Sequence, residues 1–279
     1  MTARDRSEVA PFTVVKAHAY GNDFLLAGAD EQRGTWPDVA RAMCHRHHGI
    51  GADGLIFYTL GPKTATMTLF NADGSPSELS GNGLRCLGAL VAREQKLEPG
   101  EVIAVATDAG ALRLELQASA GSRYTFRTFL GVPTGIRQVD LTAAGEALTA
   151  TVLGMGNPQC VVMGALPEPD RFNRLGPALA THAMFPAGTN VEFAAVESPE
   201  SVRILIWERG VGPTTSSGTG TAAAAVAAIA HGGASRDLEV TAPGGTQRVE
   251  WRDDGVYLTG WAEIVLDGRW IRPDRSAGR

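Results

Sequence analysis

A chain of 279 residues, 44% of them hydrophobic, exceeds the usual single-domain size and carries enough apolar content for two cores. Its net charge of −5, with the basic residues scattered, excludes a nucleic-acid-binding surface and a polybasic membrane patch and points to a small-molecule partner. No apolar run is long enough for a signal peptide or a membrane span, the alanine-rich 222–230 segment included. Three widely spaced cysteines, Cys44, Cys86 and Cys160, predict buried thiols without a disulfide in a cytoplasmic protein.

In chain order, 14–18 and 23–27 read as short strands broken by a Tyr20-Gly21-Asn22 turn, and 36–43 has helical character. The loop GIGADG at 49–54 is tight, and 55–60 and 65–70 read as paired strands. A helix is predicted over 84–95, apolar around most of its circumference through Leu84, Cys86, Leu87, Ala89, Leu90 and Val91, and therefore wrapped by sheet. Alternating strands fill 102–139, and the pattern then restarts at 151–162 with strand, turn and strand. The segment GTNVEF at 188–193 resembles the earlier GNDF at 21–24. A strand over 201–207 leads to a second helix, 221–230, which stops at His231-Gly232-Gly233. Strands near 238–240, 247–251 and 255–258 close the second half, and the polar tail 267–279 returns to the first.

The most informative feature is a duplication. An aromatic residue at the end of a strand precedes, by ten residues in both copies, a serine that opens a glycine-bracketed helix start: Phe70 to Ser80 (SGNG) and Trp207 to Ser217 (SGTG). First-turn N–H groups lack intrahelical partners and sit at the positive end of the helix dipole, so two such tips suit a carboxylate or phosphate. A single serine followed by glycine is also an ordinary helix cap, but matched spacing in two halves favours function. The predicted fold class is α/β (α+β): two similar domains, each a curved, mostly antiparallel sheet or barrel around a central apolar helix. The domains are set at 1–130 and 131–266, with the helices starting at a shared cleft.

With these motifs laid out, the chain resembles the diaminopimelate epimerase family over nearly its whole length. The resemblance rests on GNDF (21–24), GIGADG (49–54), FNADGS (70–75), SGNG (80–83), GNP (156–158), GTNVEF (188–193), and ERG (208–210) with SGTG (217–220). It implies a cofactor-independent, pyridoxal-phosphate-independent isomerase that interconverts LL- and meso-diaminopimelate in lysine and peptidoglycan biosynthesis. In that reaction one cysteine thiolate removes the α-proton and a second cysteine protonates the other face. Those cysteines occupy the positions of Ser80 and Ser217 here, and a histidine usual in the family corresponds to Gln159. Substrate-binding asparagines correspond to Asn22, Asn71, Asn157 and Asn190, and the arginine that holds a substrate carboxylate corresponds to Arg209. Glu208 matches an acidic residue beside the catalytic pair. The N–H groups of Gly81, Asn82, Gly218 and Thr219 match those that bind the reacting α-carboxylate.

The departures fall on the chemistry. A cysteine thiol is poised near neutral pH, whereas a serine hydroxyl ionises far above it, and each pKa unit costs about 1.4 kcal/mol. Gln159 cannot take the proton. Glu208 can, directly or through Ser217, if a dry cleft raises its pKa. Three readings stand: a diaminopimelate epimerase with two serines, a relative with a changed reaction such as one-sided proton transfer or dehydration, and a non-catalytic amino-acid-binding protein. Neither metal nor cofactor is called for. His45-Arg46-His47-His48 lacks a second ligand cluster, and Gly218-Thr219-Gly220 lacks the third glycine and the βα unit of a dinucleotide site. Cys160 approaches the cleft more closely than Cys86 in this reading, with burial favoured for both. The oligomeric state stays open, a homodimer included.

Overall fold

The structure, a computed structural model, describes residues 12–31 and 35–271. The first half runs β1 (Phe12–Ala19), β2 (Asn22–Gly28), α1 (Trp36–Cys44), β3 (Gly54–Gly61), β4 (Thr64–Asn71), β5 (Pro76–Ser77), α2 (Gly81–Gln95), β6 (Val102–Thr107), β7 (Gly110–Ala120) and β8 (Arg123–Gly131). The second runs β9 (Thr134–Ala143), β10 (Glu146–Gly154), β11 (Pro158–Met163), α3 (Pro169–Ala180), β12 (Asn190–Ser198), β13 (Ser201–Glu208), β14 (Gly212–Thr214), α4 (Gly218–His231), β15 (Asp237–Ala242), β16 (Gly245–Arg252) and β17 (Gly255–Trp270).

Strand pairing closes a ring of eight in the first half, in the order β1, β2, β3, β4, β6, β7, β8, β17 and back to β1. Within it only β2–β3 and β4–β6 are parallel. The second half repeats the scheme from β10 to β16, again with two parallel pairs, β11–β12 and β13–β15. The chain crosses between the halves at Gly131-Val132-Pro133, and β17 serves both. Its first residues pair with β16 and β8, and its last with β1, from Asp267 opposite Val15 to Trp270 opposite Phe12. The sequence reading stopped that strand at 258, because polar residues on its solvent side hide a 16-residue element. Of the expected tail, 272–279 lie outside the described residues.

The sheet of each half wraps one helix. Asn82 to Ala92 of α2 are all buried, and so are Gly220 to Ala228 of α4, where a run of small side chains lets the sheet close in on the helix. A helix without a polar face belongs inside, which is why both halves wrap theirs. Two further cores lie on the outer faces of the sheets, where α1 and α3 pack. The sequence reading did not find α3. Its Gly176 and Pro177 interrupt the helical pattern, yet a Cβ on Gly176 would lie 2.5 Å from the Trp207 ring, so close packing explains the glycine.

The strand order corrects one correspondence between the halves. The turn between β1 and β2 is repeated by the turn between β10 and β11, so residues 21–24 correspond to 156–159. GTNVEF at 188–193 leads into β12, the counterpart of β3.

Candidate active site

Both predicted serines are helix caps. Ser80 and Ser217 have extended backbone, with φ/ψ of −132°/121° and −141°/125°. Their Oγ atoms accept from Gly83 N at 3.1 Å and from Gly220 N at 3.3 Å. Each cap satisfies one first-turn N–H and contributes about 1 kcal/mol. The remaining first-turn groups, on Gly81, Asn82, Gly218 and Thr219, stay at the positive helix ends. A Cβ built on Gly81 meets nothing within 4 Å, so the space before that tip is open.

The two tips are joined through the β1–β2 turn. Asn82 Nδ2 donates to Asn22 Oδ1 at 3.2 Å, and Asn22 Nδ2 donates to Asp53 Oδ2 at 2.7 Å. Two residues earlier, at Tyr20, the carbonyl oxygen accepts from Thr215 Oγ1 at 3.4 Å, two residues before Ser217. Thr215 O in turn accepts from Gly244 N at 2.8 Å. Tyr20 is buried at φ 56°, and its hydroxyl accepts from Trp261 N at 3.1 Å, so one side chain pins the turn between the halves. Helices α2 and α4 bring Cα atoms within 8 Å of each other.

Behind the α4 tip, β11, β12 and β13 present a row of polar side chains. Gln159 is opposite Asn190, and the antiparallel register Val191–Trp207 and Glu192–Ile206 brings Asn190 opposite Glu208. Alternation puts Gln159, Asn190, Glu192 and Glu208 on the face that carries Val161, Ala194, Ile204 and Ile206, which is the face packed on α4. Gln159 Nε2 donates to Asn157 Oδ1 at 2.5 Å, and Asn190 Oδ1 accepts from Arg209 N at 2.9 Å. Asn157 and Gln159 border a depression of about 580 Å³ whose lining also includes Thr134, Arg137 and Phe185; neither serine lines it.

Two of the expected residues are exposed and hydrogen-bonded locally. Asn71 is exposed and donates to Ser75 Oγ at 3.0 Å, within its own turn. Arg209 is exposed as well, its Nη1 held by Ala187 O at 2.6 Å. Cys160 is fully buried on the opposite face of β11 from Gln159, and its thiol is pushed up to about 12 by burial first and by Glu192 second. His45 and His48 stack at 4.6 Å, and among the described residues no group of three or more metal-ligating side chains converges.

Sequence reasoning missed Glu192. It is fully buried, and neither carboxyl oxygen has a hydrogen-bond partner among the described residues. Burial, and next the Glu208 carboxylate, push its pKa well above the ordinary range. Glu208 is also raised by burial, against the hydrogen bond that Ser217 donates to it. Ser217 Oγ thus accepts from Gly220 N, and its hydroxyl also acts on the Glu208 carboxyl, lowering a pKa that burial raises. Asp53 was likewise unassigned, although it lies in the 49–54 loop. With Asp23 it holds Arg46, at 2.7 and 3.0 Å.

No helix among the described residues is long and apolar enough to cross a membrane. A sequence model of the family described as diaminopimelate epimerase matches residues 14–128 and 151–265. The diaminopimelate epimerase of Desulforudis audaxviator (strain MP104C) is 41% identical over 280 residues, spanning 92% of this chain and 98% of the relative. That of Desulfitobacterium hafniense (strain DSM 10664 / DCB-2) is 38% identical over 274 residues, spanning 91% and 96%. Among solved structures, a hydroxyproline epimerase from Agrobacterium vitis with bound trans-4-hydroxy-L-proline matches with a TM-score of 0.63 at 17% identity, over 95% of this chain and 93% of that one. A Bacillus anthracis phenazine biosynthesis protein of the PhzF family matches with a TM-score of 0.65 at 14% identity, over 93% and 98%. The structural likenesses are likenesses of fold, whereas the sequence matches run through both halves and through every motif quoted above: the chain belongs to the diaminopimelate epimerase family.

Proposed function

We propose that this protein is a cofactor-independent isomerase acting at the α-carbon of diaminopimelate, in the interconversion of the LL and meso forms that serves lysine and peptidoglycan biosynthesis. The observation that carries the reading is the pair of serine-capped helix tips joined through the Tyr20–Asn22 turn. In this reading the N–H groups of Gly81, Asn82, Gly218 and Thr219 hold the α-carboxylate. Ser80 and Ser217 face the α-carbon from opposite sides, and Asn22, Asn71, Asn157, Asn190 and Arg209 bind the remainder of the amino acid. Residues 1–130, with the C-terminal tail, and 131–266 act as the two domains that supply these tips.

Two hydroxyls in place of two thiols slow the chemistry severely, because the base must be formed many pKa units further from neutral. The test follows directly. Diaminopimelate of one stereochemistry, incubated with the protein in deuterated water, acquires α-deuterium. The double variant Ser80→Cys with Ser217→Cys epimerises much faster than the native chain. Unaltered turnover in that variant would overturn the assignment of the serines to the acid and base positions.

A further inference from the structure

The two halves can be compared position by position. Matching Ser80 with Ser217 matches Asn71 with Glu208, and the registers across the neighbouring strands then match Gly54 with Asn190, Ile56 with Glu192 and Phe24 with Gln159. An independent contact supports the alignment. A Cβ built on Gly83, the third residue of α2, would lie 3.0 Å from Ile56 Cδ1, and one built on Gly220, the third residue of α4, would lie 2.6 Å from Glu192 Oε1. Under one helix tip the space is filled by a methyl group; under the other it is filled by a carboxyl group.

That carboxyl group is not isolated. Glu192 and Glu208 sit on one face of adjacent antiparallel strands as diagonal neighbours, a spacing of roughly 7–8 Å. The Ser217 hydroxyl acts on Glu208 and lowers its pKa against burial, whereas neither carboxyl oxygen of Glu192 has a hydrogen-bond partner among the described residues. The titratable groups around Glu192 are few. Glu208 faces it from β13, Cys160 lies on the other face of β11, and the first turn of α4 carries no charged side chain. The nearby Arg209 guanidinium donates to Ala187 O. Two buried carboxylates without a cation cannot both ionise cheaply, so the pair retains a proton at neutral pH. The first half offers Ile56 and Asn71 at the same two positions, and neither titrates.

We propose that Glu192 and Glu208 form a coupled carboxyl pair carrying one proton beneath the α4 tip, and that this pair is the proton acceptor behind Ser217, while the matching positions Ile56 and Asn71 offer Ser80 no carboxyl group. The proposal rests on the assignment of Ser217 to the α-carbon. Glu192 is the positioning residue: by staying protonated it leaves Glu208 as the single carboxylate. As the Cα–H bond breaks, its electron pair stays on the α-carbon, Ser217 Oγ takes the α-proton, and the Ser217 hydroxyl proton passes to Glu208. The reverse transfers return a proton to the same face. Exchange with solvent therefore enters through the pair and proceeds with retention, and inversion, which needs an alkoxide at Ser80, is the slower process.

Two experiments on the full chain test this separately from the substrate reading. In the ligand-free protein, carbon-13 NMR of labelled glutamates follows the carboxyl titrations. Two coupled steps, both above the ordinary carboxylate range, are expected for the pair, and Glu192→Gln and Glu208→Gln each leave one step. A Glu192 that titrates in the ordinary range overturns the pair whatever the substrate. With diaminopimelate in deuterated water, retained α-deuterium should exceed inverted product by at least about tenfold, one pKa unit of difference. Glu208→Gln should lower exchange by about 100-fold or more while calorimetric binding persists. Glu192→Gln should remove the upper inflection from the exchange–pH profile. Equal retention and inversion, or an unchanged profile in Glu192→Gln, overturns the proposal. Absence of calorimetric binding in the native chain overturns the diaminopimelate reading, and the titration still decides the pair.

Discussion

Replacing Glu192 with glutamine keeps the side chain's shape and removes its titration, so its effect on stability against pH can be worked out. The group is fully buried and unpartnered, and burial and Glu208 together hold its pKa well above that of an exposed carboxyl. An unfolded glutamate releases its proton near pH ~4.3. The folded chain keeps that proton to higher pH, so the unfolded state binds fewer protons in the window between. The contribution is therefore fully present below the unfolded pKa and is lost as pH rises toward the folded one. Within that window the loss is about 1.4 kcal/mol per pH unit for one proton. Between two pH values one unit apart inside that window the native chain loses that amount through Glu192, and Glu192→Gln loses none. Glu208 is raised in both proteins, so its contribution cancels to first order. The variant should gain about 1.4 kcal/mol on the native chain across this one unit, or roughly 2–4 °C in Tm for a chain of this length. Urea midpoints and calorimetric melts at the two pH values measure it. Parallel pH dependence in the two proteins would refute the buried, protonated state of Glu192.

Arg209→Ala should weaken diaminopimelate binding roughly tenfold, from the loss of one charge-assisted contact, and should leave alanine binding nearly unchanged. Equal losses for the two ligands would point to a substrate without a distal carboxylate. Gly244→Ala places a methyl group 2.4 Å from Tyr20 O and 2.9 Å from Thr215 O, both backbone atoms at the junction of the two tips. Such overpacking costs about 1–3 kcal/mol. It should lower the urea midpoint and the amino-acid affinity together; an unchanged affinity would separate the Tyr20 turn from the site.

How much the sequence discloses depends on whether a feature is local. The serine caps are legible, because a cap, its glycines and its lead-in lie within 14 consecutive residues, Phe70 to Gly83 and Trp207 to Gly220. The two enclosed helices are legible for the same reason, since their apolar circumference is written in consecutive positions. Helix α3 is not, because its Gly176 answers to Trp207 on β13, a contact between residues far apart in the chain. Strand β17 is half legible: its start pairs with the neighbouring β16, but its other partners, β1 and β8, lie more than a hundred residues away.

Glu192 marks the limit of local reading in its sharpest form. It lies inside a motif that is plain in the sequence, yet it draws attention only once the registers align it with Ile56. The aligned backbone gives both helix tips the same shape, with the same serine cap and the same glycine at the third position. What differs is the set of aligned sheet positions: Phe24, Ile56 and Asn71 in the first half, against Gln159, Glu192 and Glu208 in the second. Symmetric anchoring of a carboxylate requires only the shared backbone. Symmetric proton transfer requires matched acids and bases, and among these aligned positions only Glu192 and Glu208, both beside α4, titrate. On the proposal above, binding and proton transfer are thus separable in this fold, the first encoded by the repeated turn and cap, the second by the Glu192–Glu208 pair in the sheet behind α4.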